Sequence, residues 1–318
     1  MRTRFIVMTD THFEPASHKD FIWWNRMLIS KNQEIVDAIV DTVTELRPDF
    51  VIHCGDFTSD AAFESFDFGK TNMDRLQCPY YVALGNHDTF KPGTRKHASA
   101  LLENDKGNFT YRRSFDGFNL IILDCAHWIN SDGRDSEHMH RDEAYDHIGP
   151  PDHVLKWLEE TCNAERDVPA ILAMHPPILA KPHYRVGSFP GGGAAGDVEL
   201  PDREVLTDGA SLNYLVDDIP HHDRLLDIIE RNPQVKLILA GHWHIHDIIT
   251  RGSQVYCSTG SMIEYPLEMR LIELSDKGME ISIVSVAGGR FAEESLIPKY
   301  RNDFAAGDDH DRNFTIRW

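Results

Sequence analysis

Five short apolar runs of this chain each end on residues that a hydrophobic core would exclude. "FIVMT" (5–9) is followed by Asp10 and His12, "FVIHC" (50–54) by Gly55 and Asp56, and "YYVAL" (80–84) by Gly85, Asn86, His87 and Asp88. "AILAM" (170–174) leads to His175, and "KLILA" (236–240) to Gly241, His242 and His244. Apolar runs of this length without polar alternation read as strands buried on both faces. Open α/β sheets place their ligand sites at the C-terminal ends of such strands. The pattern therefore predicts five strand tips that bring carboxylate, amide and imidazole donors to one point, with glycines permitting the tight turns. A single D-x-H or G-D is more often a turn or a helix cap; five in succession are not explained that way.

Between the runs, residues 32–46, 153–162 and 223–232 carry apolar side chains at i, i+3 and i+4, the spacing of amphipathic helices. With "LIILD" (120–124) as a further strand, the chain alternates strand and helix in the manner of an α/β fold. After residue 250 the rhythm changes. "QVYCST", "MRLIEL" and "MEISIVSV" are predicted to form antiparallel strands, with "DKG" as one turn. Residues 1–290 are expected to form one domain. A Gly- and Pro-rich stretch at about 181–222 is too long for an ordinary connection and is expected to be a functional loop or lid. Residues 291–318 form an acidic tail that docks either on its own domain or on a second copy.

Composition removes several classes of function. A formal net charge of −19 opposes binding to a long nucleic acid, which depends on Lys and Arg neutralising phosphates. The five cysteines are scattered and never spaced C-x-x-C, which argues against a disulfide framework or a thiolate zinc site. No apolar run reaches the roughly 18 residues of a membrane span, and the N-terminal apolar stretch is short for a signal sequence. These features lead to the expectation of a soluble, cytoplasmic protein with no membrane partner. The 18 histidines are the compositional oddity.

The ordered set D-x-H, G-D, G-N-H-[ED], a lone H and G-H-x-H resembles the calcineurin-like metallophosphoesterases, over roughly residues 4–260. The resemblance implies a four-layer α/β/β/α sandwich with a dinuclear metal centre at one edge of its two sheets. Carried over by position, Asp10, His12 and His244 would hold one metal, Asn86, His175 and His242 the other, and Asp56 would bridge them. No ligand of the pattern is missing. His87 would stabilise the transition state and protonate the leaving group, and Asp88 would orient the His87 imidazole.

Two divalent cations about 3.5–4 Å apart can share a water, make a hydroxide nucleophile near neutral pH and neutralise phosphoryl oxygens. A donor set of Asp, Asn and His without thiolate suits Mn, Fe or Zn, and also Ni or Co. Single-domain size, "GNHD", "MHPP" (174–177) and the acidic balance resemble the bacterial class III cyclic-nucleotide phosphodiesterases and their glycerophosphodiesterase relatives. The expected substrate is accordingly a small phosphodiester of one of those kinds. A phosphomonoesterase, a nuclease of the same superfamily and a metal-bearing interaction module without turnover remain as alternatives. A homo-oligomer is compatible with the tail. Four further features are left with two readings each. His246 packs in the core or supports a ligand; Trp23 and Trp24 form a pocket wall or hydrophobic cover; His127 and His183 meet the substrate or lie idle at the surface. His53 is expected to be a hydrogen-bonded core residue.

Overall fold

The computed structural model describes all residues except 1, 16–18, 103–107, 131, 141–146, 180–218, 297–301 and 318. Strands β1 (Arg2–Met8), β2 (Phe50–His53) and β3 (Tyr80–Val82) lie parallel, as their uninterrupted apolar character predicts. Further along the chain, β4 (Tyr111–Phe115), β5 (Phe118–Ile122), β6 (Ala170–Ala173) and β7 (Val235–Ala240) belong to another sheet. It is completed by β8 (Asp247–Arg251) and β9 (Gln254–Ser258). Finally β10 (Glu268–Ser275), β11 (Gly278–Ser285) and β12 (Asn313–Arg317) return to the first sheet. The spatial orders are β12-β11-β10-β1-β2-β3 and β8-β9-β7-β6-β5-β4.

Period-two alternation along the buried strands generates the layers. Phe5 and Val7 of β1 point into the space between the sheets, where they meet Leu120, Ile122, Leu237 and Leu239. Ile6 and Met8 point the other way, onto helix α1 (Asn32–Leu46), α2 (Phe63–Met73) and α3 (Thr94–Leu101). On the far side, Ile121, Leu172 and Ile238 receive α4 (Asp152–Ala164) and α5 (His222–Glu230). Three apolar cores thus separate four layers, helix, sheet, sheet and helix, the sandwich expected from the resemblance. In α1 the buried residues Ile35, Val36, Ile39, Val40 and Val43 form one stripe. The helix ends where Arg47 turns left-handed ahead of Pro48.

One strand departs from the sequence reading. Gln254–Ser258 is not one of a set of antiparallel C-terminal strands. It runs parallel to β7 in the second sheet and antiparallel only to β8. The reason lies in β8, whose polar outer half (Thr250, Arg251) hid an edge strand that leaves just two residues for the turn into β9.

The lid expected at 181–222 falls outside the described residues except for Ile219–His222, and His183 falls outside them as well. The described part of the tail packs on its own domain. Strand β12 pairs antiparallel with β11, and Phe314 and Ile316 join the core between the sheets. Arg312 makes two bonds to Glu268, at 2.7 and 2.8 Å. Asp311 accepts from the Ile248 amide, and its carbonyl takes the buried Arg270 guanidinium at 2.6 Å. Among the described residues no helix is long and apolar enough to cross a membrane.

Helix α3 is stapled to the second sheet by a buried ion pair between Arg95 and Asp124, which lies just past β5. Arg95 also donates to the carbonyls of Ala126, at 2.7 Å, and Glu137, at 3.1 Å. Burial alone would raise the Asp124 pKa, but Arg95 and His127 outweigh it and hold the carboxyl well below the usual range. Its stabilising contribution is therefore complete above the unfolded value of about 3.9 and drains away as the pH falls below it. Asp124→Asn is expected to destabilise the protein by about 3–5 kcal/mol at pH 7, because Arg95 is left buried beside a neutral partner. Denaturant titrations at pH 7 and pH 3 should show the gap between variant and parent narrowing in acid. A gap of constant size would rule out this linkage.

Candidate metal centre

Each half of the sandwich delivers part of one cluster. The first sheet contributes Asp10 and His12 after β1, Asp56 after β2, and Asn86 and His87 after β3. The second contributes His175 after β6 and His242 and His244 after β7. Asp10, His12, Asp56, His175 and His244 are buried; Asn86, His87 and His242 are half-buried. Donor atoms of Asp10, His12 and His244 lie within 4.8 Å of one another, as do those of Asp56, His175 and His242. A third such group joins His12, Asp56 and His87. Asp56 and His12 are thus shared between neighbouring groups, and Asn86 Oδ1 lies 3.1 Å from His175 Nε2.

Backbone strain accompanies this convergence. Ten described non-glycine residues have positive φ, and five of them are Asp10, His12, Asp56, His242 and His244. Such turns cost on the order of 1–3 kcal/mol each for a non-glycine residue, and they persist where the surroundings over-determine them. Close packing does so here. A Cβ on Gly85 would lie 2.2 Å from Asp56 Oδ1, and one on Gly241 would lie 1.9 Å from Thr9 Oγ1 and 2.5 Å from Asp10 Oδ2. The motif glycines are required because ligand atoms occupy the place of their side chains. Two bonds cross from sheet to sheet at the same point. His175 Nδ1 donates to the Cys54 carbonyl at 2.8 Å, and the His242 amide donates to Asp10 Oδ2 at 3.0 Å.

Several donors are left aimed at the centre of the cluster. Both ring nitrogens of His12 are buried without a hydrogen-bond partner, a state that is costly unless something electropositive meets them, and Asp10 Oδ1 is faced by His244 Nε2 at 3.3 Å. His175, its Nδ1 proton committed to Cys54, brings Nε2 to 3.1 Å from both His242 Nδ1 and Asn86 Oδ1, and although burial presses its pKa down, Asp56 and Asp10 outweigh that and lift it to about 9. Burial, reinforced by neighbouring imidazoles, pushes His12 well down and His242 down to about 3, so both hold the neutral, ligating form. Burial acts on His244 in the same sense but is outweighed by Asp10 and Glu264, which lift it to about 10. This donor set fits divalent cations.

Asp88 is a correction. Its carboxylate does not orient His87, because four donors turn it beneath the loop: the amides of Phe57 (3.0 Å), Thr58 (2.7 Å) and Gly85 (2.9 Å), and the Thr58 hydroxyl (3.0 Å). Asp88 ties the "GD" loop to the "GNHD" loop. His87 is oriented instead by the Ser59 carbonyl, which accepts from Nδ1 at 2.7 Å, while its amide donates to Asp56 Oδ1 at 2.8 Å.

Two supporting residues escaped the sequence reading. Glu264, fully buried, accepts from His244 Nδ1 at 2.5 Å and so directs Nε2 toward Asp10 Oδ1, 3.3 Å away. Thr9 Oγ1 donates to Asp10 Oδ2 at 2.7 Å. An acidic residue inside the apolar string "MIEYP" was the available signal for Glu264. His246 is packed away from the cluster, with Nδ1 accepting from the Gly260 amide at 3.1 Å. His53 is buried on β2 beside Thr11 Oγ1, at 2.9 Å. His127 sits between Asp124 and Asp135. Trp24 is cover, donating to the Trp243 carbonyl at 2.8 Å, whereas Trp23 lines a cavity of about 240 Å³ with His12, Asp56, Asn86, His87, His242 and His244.

Comparison with known proteins agrees with this geometry. A probable cyclic nucleotide phosphodiesterase of Synechococcus is 24% identical over 247 residues, covering 76% of this chain and 78% of that protein. A probable glycerophosphodiester phosphodiesterase of Arcobacter nitrofigilis is 27% identical over 198 residues, which is 62% of this chain and 57% of the relative. In fold, a dimetal phosphatase from Danio rerio superposes with a TM-score of 0.66 at 14% identity, covering 99% of both chains. The family model described as calcineurin-like phosphoesterase matches residues 3–246, and on that match the chain belongs to the calcineurin-like phosphoesterase family.

Proposed function

We propose that the chain is a dinuclear-metal phosphodiesterase acting on small phosphodiesters of the cyclic-nucleotide or glycerophosphodiester kind. The observation that carries this reading is the meeting of Asp and His donors from the tips of both sheets, with both His12 ring nitrogens buried and unpartnered, beside a cavity faced by His87. In it Asp10, His12 and His244 would hold one cation, Asn86, His175 and His242 the other, and Asp56 would serve both. Mn, Fe or Zn suits these oxygen and imidazole donors. When bound, two such cations supply an activated water and neutralise phosphoryl oxygens.

The remaining steps belong to the protein. Neutral Asn86 leaves the centre more positive than a third carboxylate would, which favours an anionic substrate. His87, with Nδ1–H fixed on Ser59, presents Nε2 to the cavity, and in its protonated form Nε2–H is positioned to protonate the leaving alkoxide. A net charge of −19 disfavours a long nucleic acid as substrate.

His87→Ala is expected to lower kcat on bis-p-nitrophenyl phosphate by about 10²–10⁴-fold, the usual worth of a positioned general acid, with metal content unchanged. Equal and negligible turnover by parent and variant at full metal loading would favour an interaction module instead. Removing a ligand's support should act on the metals. Glu264→Ala is expected to weaken metal binding by about 10–100-fold, as loss of such an orienting carboxylate typically does. Metal titration with elemental analysis checks this, and unchanged affinity in a folded variant would refute the orienting role.

A further inference from the structure

We infer that the apolar side of this cavity seats the planar ring of a nucleoside phosphodiester, so that the enzyme prefers nucleotide diesters to glycerophosphodiesters. The inference rests on the phosphodiesterase reading and narrows its substrate class. Opposite the cluster the cavity is walled by Phe21, Ile22, Trp23, Met27 and Ile29. Phe21 and Ile22 pair antiparallel with Met27 and Arg26 in a short hairpin. Phe21 is 42% exposed, one of two large hydrophobic side chains on the described surface. The other, Phe63, is covered by the His97 ring, with centroids 4.3 Å apart. No ring of the described residues stacks on Phe21. Together these five side chains give the cavity a contiguous apolar wall beside its polar cluster, the composition of a small-molecule site.

The hairpin is held at a fixed distance from the cluster. The Asn25 amide at its turn donates to Glu264 Oε2 at 2.8 Å, while Glu264 Oε1 holds His244. Ser295 Oγ donates to the Arg26 carbonyl at 2.6 Å. The Trp23 ring centre thereby lies 6.2 Å from that of His244, so a group resting on Trp23 is adjacent to a phosphoryl group on the cluster.

Chemistry selects the occupant. The five wall side chains carry no charge; a polyol pressed against them would lose water without gaining partners, and an ammonium headgroup would gain only the ring faces of Phe21 and Trp23 while losing its water. A nucleobase offers apolar faces to Phe21 and Trp23 and keeps its polar edges free for solvent.

The test compares 3′,5′-cyclic AMP with glycerophosphoethanolamine at matched metal loading. The parent is expected to favour cyclic AMP in kcat/KM by about tenfold or more. Phe21→Ala should raise KM for cyclic AMP about tenfold, the loss of roughly one ring–base stack, with kcat and the KM for glycerophosphoethanolamine little changed. Trp23→Ala should behave alike, and Phe21→Tyr and Trp23→Phe, which keep a ring, should restore KM. Equal losses on both substrates, or a parent that prefers glycerophosphoethanolamine, would overturn the ring seat while leaving the phosphodiesterase reading intact. If neither diester is hydrolysed the phosphodiesterase reading fails, and quenching of tryptophan fluorescence by cyclic AMP decides the rest. Quenching in the parent that is lost in Phe21→Ala upholds the seat; no quenching removes it.

Discussion

Two carboxylates, Asp10 and Asp56, are buried at the seam between the sheets, and the organisation around them follows from keeping them charged there. An isolated buried carboxylate would be driven to neutrality. Burial does press both pKa values upward, but the imidazoles of His244 around Asp10, and of His175 and His87 around Asp56, outweigh it and hold both below the ordinary carboxylate range. Only a ring of donors from both sheets can surround two adjacent anions on every side. That requirement accounts for a sandwich whose parallel strands, β1, β2 and β3 in one sheet and β6 and β7 in the other, end at one edge. It also accounts for five left-handed ligand residues whose strain close packing sustains.

Four of the strands that carry the clustered residues, β1, β2, β6 and β7, were legible because they are central in their sheets and largely buried, which removes ambiguity from their composition. Their tips were legible because Asp, Asn and His have no other reason to follow five apolar runs. Edge elements were less readable. Strand β4, "YRRSF", is polar on its exposed face, and β8 follows a histidine-rich turn, so neither has the apolar signature of a central strand. Misplacement of β9 followed from missing β8, since a strand's sheet is set by its neighbours and not by its own residues.

Within the site the same distinction holds. Which residues gather at the cluster can be read from order along the chain, but which atom faces which cannot. Asp88 adjoins His87 in sequence, yet the short helical turn over His87–Thr89 sends successive side chains in different directions, and the carboxylate goes to the amides beneath. Glu264 is twenty residues beyond His244 and meets it only because the chain after β9 folds back across the strand tips. Neither relation has a spacing that period or propensity would register.

Glu264 also shows why ligand geometry and substrate selection need not vary independently. One of its oxygens fixes the His244 ring; the other fixes the hairpin turn that presents Trp23. A change in hairpin length or tilt would move that carboxylate and, through it, the His244 ring. The wall opposite the cluster is therefore free to change its side chains but not its backbone path, which Glu264 ties to His244. In such an arrangement new specificity is expected to come from substitution at Phe21, Trp23 or Met27 before it comes from insertion in the hairpin, because only substitution leaves His244 where Asp10 needs it.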